Sequence, residues 1–300
     1  MGKKLMDAFL ARRDRMRQPL TLADLTATGR PAVSFSEEWQ DLRATWSLTR
    51  NGKSVLAERR MAAFMERGTY SERPAGLADW LFQFAGSLGG AVYAERFEAA
   101  FTEVRKASQR PGFQAFADYF GDNLSADHGQ RYFELLKAYF AAFGEFSQIH
   151  HLVIAGVEIG SDRVATSTHF DATRMFYGNA FEAFASNVET LTALNNLIAG
   201  LAYDQLASLS LSDYQKLDKA ARFKAFEANG PFAAICDEAS SQLRNASHHG
   251  GLHFRRKTNS VVYRAGKGGQ GAESEMGYAI YLERCSKLLL QSMVLLRIEL

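Results

Sequence analysis

The stretch SSQLRNASHHGG, residues 240–251, places an arginine, an asparagine and two histidines within six consecutive positions. An imidazole gives or takes a proton near neutral pH. A guanidinium grips a phosphate at two points and stabilises the charge that develops on it, and an amide orients either partner. Arg244, Asn245, His248 and His249 therefore supply the groups needed to cleave RNA without a metal. A base removes the proton of the 2′-hydroxyl, and that oxygen attacks the adjacent phosphorus.

The segment that carries these residues predicts one helix over residues 231–249, ended by Gly250 and Gly251. Its apolar residues share one face, formed by Phe232, Ile235, Cys236, Ala239, Leu243 and Ala246. Two polar rows cover the other side, one with Asp237, Ser241, Arg244 and His248, the next with Glu238, Gln242, Asn245 and His249. An unbroken helix places Arg244 with His248 and Asn245 with His249. Helix geometry alone therefore leaves open which histidine acts with the arginine.

The surrounding region is strongly basic, because no acidic residue occurs between Ala239 and Ala272. Such a stretch is typical of a surface that binds a polyanion. Residues 253–264 predict a β-hairpin, followed by a glycine-rich loop, and its aromatic residues offer surface for stacking on unpaired bases. The residues expected to bind RNA are His253, Arg255, Arg256, Lys257, Arg264 and Lys267. A solvated basic hairpin that binds no nucleic acid is the alternative.

The sequence LRNASHH resembles the motif of the HEPN (higher eukaryotes and prokaryotes nucleotide-binding) ribonucleases. That motif is an arginine followed by a polar residue, with a histidine separated from the arginine by four to six positions. Arg244, Asn245 and His249 match it, with four residues between the arginine and the histidine. The family spacing thus selects His249 and leaves His248 as an auxiliary residue.

This resemblance implies a small α-helical domain that cleaves RNA without a metal ion or cofactor. The histidine acts as acid and base, the arginine holds the scissile phosphate, and the products carry 2′,3′-cyclic phosphate ends. Two protomers typically form one composite active site, so a homodimer is expected. Many members are toxins or abortive-infection and other antiviral effectors, some of them controlled by an inhibitor or activator. Other members are inactive and serve as nucleic-acid-binding, regulatory or interaction modules.

Helical periodicity runs through most of the chain and predicts an all-α protein with the one small hairpin as an insertion. The least helical part is residues 151–170, so we expect a boundary near residue 155. Residues 1–155 would form an N-terminal helical region of unknown role. Residues 156–300 would form the HEPN-like bundle.

Composition excludes several classes of protein. The sequence contains no run of eighteen apolar residues, so no membrane span is expected. The N-terminal sequence lacks the pattern of a signal peptide, and we therefore expect a cytoplasmic protein. Two cysteines form neither a disulfide framework nor a metal-ligand cluster, and no metal site is expected. The sequence GKGGQG fits G-x-G-x-x-G but lacks the strand and helix that a dinucleotide site requires.

Overall fold

The computed structural model describes residues 34–67, 73–166, 169–206, 209–248, 251–264 and 271–300. Most of these residues are helical and one small sheet is present, so the all-α class is confirmed at this level. The chain divides into two compact units, residues 1–83 and 84–300. The boundary predicted near residue 155 lies inside the second unit, where helices from both sides of that residue pack together. Among the described helices, none is long and apolar enough to cross a membrane.

The first unit contains helices α1 (Phe35–Arg50) and α2 (Ser54–Arg67) and the start of α3 (Leu77–Ser108). Helix α1 begins with a capping box, in which the Ser34 hydroxyl accepts from the Glu37 backbone N–H and the Glu37 carboxylate accepts from that of Ser34. All three tryptophans of the chain, Trp39, Trp46 and Trp80, are buried in this unit.

The second unit contains the remainder of α3 and ten further helices of the described chain, together with a π-helical turn (Phe120–Leu124) and a 3₁₀ helix (Lys219–Phe226). The ten helices are α4 (Phe113–Tyr119), α5 (Ser125–Ala141), α6 (Phe143–Ile154), α7 (Phe170–Arg174), α8 (Phe176–Asn187), α9 (Glu189–Ile198), α10 (Leu211–Lys216), α11 (Gly230–Ala234), α12 (Ser241–His248) and α13 (Tyr278–Glu299). Helix α3 is kinked at Gly90, whose φ of 60° and close approach to Ile154 both favour glycine.

Helix α13 is the central element of the second unit. It is buried on nearly every side and packs against α5, α6 and α8. Near its end the Glu299 carboxylate contacts His128 Nδ1 at 2.8 Å and accepts hydrogen bonds from Tyr132 at 2.9 Å and Thr190 at 2.6 Å. These contacts join α5 and α9 to the end of α13.

The predicted hairpin is present as β1 (His253–Arg255) and β2 (Ser260–Arg264), paired antiparallel. Its turn includes Asn259 at φ 50°, a conformation that asparagine tolerates better than most residues. A third strand, β3 (Glu273–Gly277), pairs antiparallel with β2 and gives the order β1-β2-β3. The sequence predicted a loop running into the last helix here, because a strand as polar as β3 carries little of the usual apolar alternation. Strand β2 also contacts α12, so the sheet lies beside the segment with the motif.

Candidate functional site

The single helix predicted over residues 231–249 is wrong, because the chain leaves the helix after Ala234 and begins α12 only at Ser241. In an unbroken helix the carbonyls of Ala234 and Glu238 would each accept from the backbone N–H four residues later. Here Arg96 donates to the Ala234 carbonyl at 2.9 Å, and the Tyr177 hydroxyl donates to the Glu238 carbonyl at 2.7 Å. Side chains from α3 and α8 thus replace two bonds of the helix ladder. The predicted polar rows lose their first members as a result.

Helix α12 starts afresh with its own contacts. The Ser240 hydroxyl accepts from the Leu243 backbone N–H at 3.4 Å, and the Ser240 N–H donates to the Tyr177 hydroxyl at 2.9 Å. Leu243 and Ala246 are buried, and the helix packs along α8. The predicted buried face is therefore correct within α12, which turns Arg244 toward the surface of α8.

Arg244 and Asn245 form one hydrogen-bonded group. The guanidinium of Arg244 makes an ion pair with the Glu182 carboxylate of α8 and donates to Asn245 Oδ1 at 2.7 Å. It also lies 5.7 Å from the centre of the Phe181 ring. The Arg244 side chain keeps 23% of its surface exposed, so solvent reaches it. An oriented and accessible guanidinium of this kind can bind a phosphate, which either displaces the Glu182 carboxylate or shares the guanidinium with it.

The end of α12 is fixed on the beginning of α8. Ser247 is buried; its hydroxyl donates to the Arg174 carbonyl at 2.8 Å and accepts from the Gly178 backbone N–H at 3.2 Å. His248 is exposed at the last position of the helix, with its ring beside Gly178. A Cβ on Gly178 would lie 2.9 Å from His248 Nε2, so only glycine fits there without a shift. His249 lies outside the described residues, and the choice between the histidines stays a prediction.

The hairpin is less cationic than its sequence suggests. Arg255 pairs with two carboxylates of β3, Glu273 at 3.0 Å and Glu275 at 2.8 Å. The acid-free window of the sequence ends directly before Glu273, and the third strand brings these acidic residues back against it. Phe254 is half-buried and packs on Phe170, with ring centres 5.5 Å apart, so only part of its ring is open to a base.

The other residues expected to bind RNA have different surroundings. His253, Arg256, Lys257 and Arg264 are exposed, and Arg264 lies opposite Glu273 in the β2–β3 register. Lys267 lies outside the described residues. The accessible charge of the hairpin is therefore concentrated at Arg256 and Lys257, in the turn between β1 and β2.

A second group of cations near Arg244 was not found from the sequence. Lys219 donates to the Ser186 hydroxyl at 2.6 Å, and Arg131 donates to Asn187 Oδ1 at 3.0 Å. Burial lowers the pKa of Lys219; Arg222, Arg131 and Arg244 lower it further, whereas Glu182 raises it. These charged side chains are thus close enough to influence one another electrostatically. They come from separate helices and no local pattern connects them.

Among the described residues, no three His, Cys, Asp or Glu side chains are grouped so that they could hold a metal ion. A scan against protein-family models, a search of curated proteins and a search of solved structures each found no match for this chain. Function is therefore inferred from the residues of the site.

Proposed function

We propose that this protein is a metal-independent endoribonuclease of the HEPN type, with Arg244, Asn245 and His249 as its catalytic residues. The observation that supports it best is the arginine–asparagine pair on the last two turns of α12. There Asn245 and Glu182 hold the guanidinium at the surface. His249 follows directly after the last residue of that helix. The residue types, their spacing and their place at a helix end all agree with the motif that the sequence resembles.

In the proposed reaction a neutral imidazole takes the proton of the 2′-hydroxyl, and the 2′-oxygen attacks the adjacent phosphorus. The bond from phosphorus to the 5′-oxygen breaks, and a protonated imidazole gives its proton to that leaving oxygen. Arg244 stabilises the negative charge on the phosphoryl oxygens, and Asn245 keeps its guanidinium oriented. The products are a 2′,3′-cyclic phosphate and a 5′-hydroxyl.

The reaction needs a base and an acid at the same time, whereas the motif supplies one histidine selected by family spacing. A homodimer that brings two motifs into one cleft would provide both. We therefore include a composite active site in the proposal. By the same resemblance, the biological role proposed is that of a toxin or anti-phage effector whose activity is set by an inhibitor or activator.

The test is cleavage of an end-labelled RNA pool by the purified protein in the presence of EDTA. Wild type is compared with Arg244→Ala, His249→Ala and His248→Ala. Arg60→Ala serves as the matched control, because Arg60 also pairs with one carboxylate, that of Asp41, but lies in the first unit. We expect cuts that end in 2′,3′-cyclic phosphate, lost with Arg244→Ala and His249→Ala and retained by the control. Cuts that persist in both of these variants would refute the assignment.

A second candidate function is a catalytically inactive RNA-binding or regulatory module. The observation that favours it is the Glu182 carboxylate on Arg244, which occupies the group that should hold the phosphate. Such a module would bind RNA with a salt-dependent affinity that Arg244→Ala leaves unchanged, and would cut no RNA. Wild type and the same variants distinguish the two functions when both RNA cleavage and RNA affinity are measured.

A further inference from the structure

A groove of about 430 Å³ lies between α5 and α8 within the second unit. Its volume falls in the range of about 300–1,000 Å³ that is usual for small-molecule sites. Four apolar side chains form its floor: Leu135 and Ala138 from α5, and Phe176 and Ala183 from α8. A floor of this kind suits a flat, weakly polar group such as a nucleobase.

The rim of the groove carries amides that can read such a group. Gln130 and Asn179 line it from opposite helices. The Gln130 amide nitrogen donates to Glu134 at 3.1 Å, whereas its Oε1 is buried and has no hydrogen-bond partner among the described residues. Asn179 is exposed, and its amide offers a base both an acceptor and donors.

One end of the groove is positively charged. Arg131 and Ser186 line this end, and Ser186 accepts a hydrogen bond from Lys219. The carboxylates of the lining are Glu182, which Arg244 neutralises, and Glu134, which pairs with Lys137 at 3.1 Å. Within the described part of the chain, the carboxylate that pairs with Arg131 is that of the exposed Asp127, at the long distance of 3.8 Å. Charge at this end of the groove thus favours an anion.

We propose that this groove binds a nucleoside monophosphate unit, with the base on the apolar floor and the phosphate on Arg131 and the Ser186–Lys219 pair. The proposal rests on the proposed function in one respect, that the unit belongs to an RNA whose scissile phosphate lies on Arg244. Glu182 and Asn187, which anchor Arg244 and Arg131, are five residues apart on α8, or about 7.5 Å along the helix.

The experiment measures binding to the full chain without any cleavage step. The probes are adenosine 5′-monophosphate, adenosine, inorganic phosphate and a fully 2′-O-methylated RNA oligomer, which lacks the attacking hydroxyl. The variants are Arg131→Gln, which removes the charge and keeps a polar amide at this position, and Ala183→Leu, which fills the floor. Lys216→Ala is the matched control, because Lys216 is exposed, pairs only with Asp213 among the described residues and does not line the groove.

We expect saturable binding of the monophosphate that exceeds binding of adenosine or phosphate. Both groove variants should weaken it about tenfold while Lys216→Ala does not. An equal loss for the methylated RNA would assign the unit to the RNA strand. A loss confined to the monophosphate would assign it to a free nucleotide. Absence of saturable monophosphate binding, or equal binding by all variants, would overturn the proposal. Because no probe is cleaved, these results stand apart from the outcome of the cleavage assay.

Discussion

At the scale of single residues, two contacts hold the Arg244 guanidinium, one with the Asn245 amide and one with the Glu182 carboxylate of α8. Arg244 and Asn245 are adjacent in the chain, but helix spacing places them in separate polar rows, so their hydrogen bond was not predicted. Glu182 precedes Arg244 by 62 residues and sits in a helix whose polar side chains follow no distinctive pattern. Only the packing of α12 on α8 makes it the residue that decides how much charge Arg244 offers. Lys219 and Arg131 were missed for the same reason.

Replacing Glu182 with glutamine should strengthen RNA binding. Glutamine keeps the length of the side chain and its oxygen acceptor, but it no longer neutralises the guanidinium. Because the pair is partly exposed, we expect a gain of about three- to tenfold in affinity for single-stranded RNA. Fluorescence anisotropy measures it, with Asp41→Asn as the control for loss of a carboxylate that pairs with arginine elsewhere. An affinity that falls in Glu182→Gln would contradict the role given to Arg244.

Glu38 should make the first unit less stable as the pH rises. Burial raises the pKa of Glu38 to about 7 from 4.5, although the Trp80 indole N–H donates to the carboxyl at 3.0 Å and lowers it. Between pH 4.5 and 7 the folded state therefore holds a proton that the unfolded state has released. Stability should fall by about 3 kcal/mol across this range, and Glu38→Gln should abolish that fall.

Tryptophan fluorescence during thermal unfolding reports this effect, because all three tryptophans lie in the first unit. Glu58→Gln, on the exposed side of α2, is the control. An unchanged pH dependence in Glu38→Gln would show that the carboxyl is ionised without cost in the folded protein.

At the scale of elements, periodicity predicted where helical sequence lies but not where helices break. The apolar face of α12 follows from its spacing. At the interruption, Arg96 and Tyr177 donate from distant helices to the carbonyls of Ala234 and Glu238. No local signal marks such a competition between tertiary and helical hydrogen bonds. Strand β3 escaped prediction because its pairing with β2 outweighs its weak intrinsic preference.

Gly178→Ala should shift the end of α12 and lower activity. The added methyl group would lie 2.8 Å from Ser247 Oγ and 2.9 Å from the His248 ring, and a shift of the buried serine would disturb its hydrogen bond to the Arg174 carbonyl. We expect a loss of about 1–3 kcal/mol in stability and a larger relative loss in RNA cleavage. Circular dichroism and the cleavage assay measure the two effects. Gly144→Ala in α6, where a methyl group meets nothing within 4 Å, should be neutral or slightly stabilising.

At the scale of the whole molecule, the small net charge of +2 conceals an uneven distribution. Sequence alone predicted a basic surface over residues 240–271, and the exposed Arg256 and Lys257 agree with it. The carboxylates of β3 reduce that surface, since they face Arg255. Chain order does not reveal which acidic residues return to a basic segment, and this part of the electrostatics required the fold.

Removing Arg256 and Lys257 together should reduce the salt dependence of RNA binding. For single strands each phosphate contact contributes about 0.7 to the slope of log affinity against log salt, so alanine at both positions should make the slope about 1.4 less steep. Arg255→Ala should have a smaller effect, because its charge is already paired. The matched control is Lys53→Ala with Arg59→Ala, which removes two exposed positive charges from the first unit. Equal changes of slope in both double variants would exclude the hairpin as the RNA contact.

Helix α13 is the central element of the second unit, yet it follows α5, α6 and α8 by a long stretch of chain. During synthesis the apolar faces of those helices leave the ribosome well before the helix that covers them. Contacts between such distant segments also form slowly, and exposed apolar surface is prone to aggregate in the meantime. The nascent second unit should therefore be a client of chaperones until α13 has emerged, and it should fold as a whole only after that point.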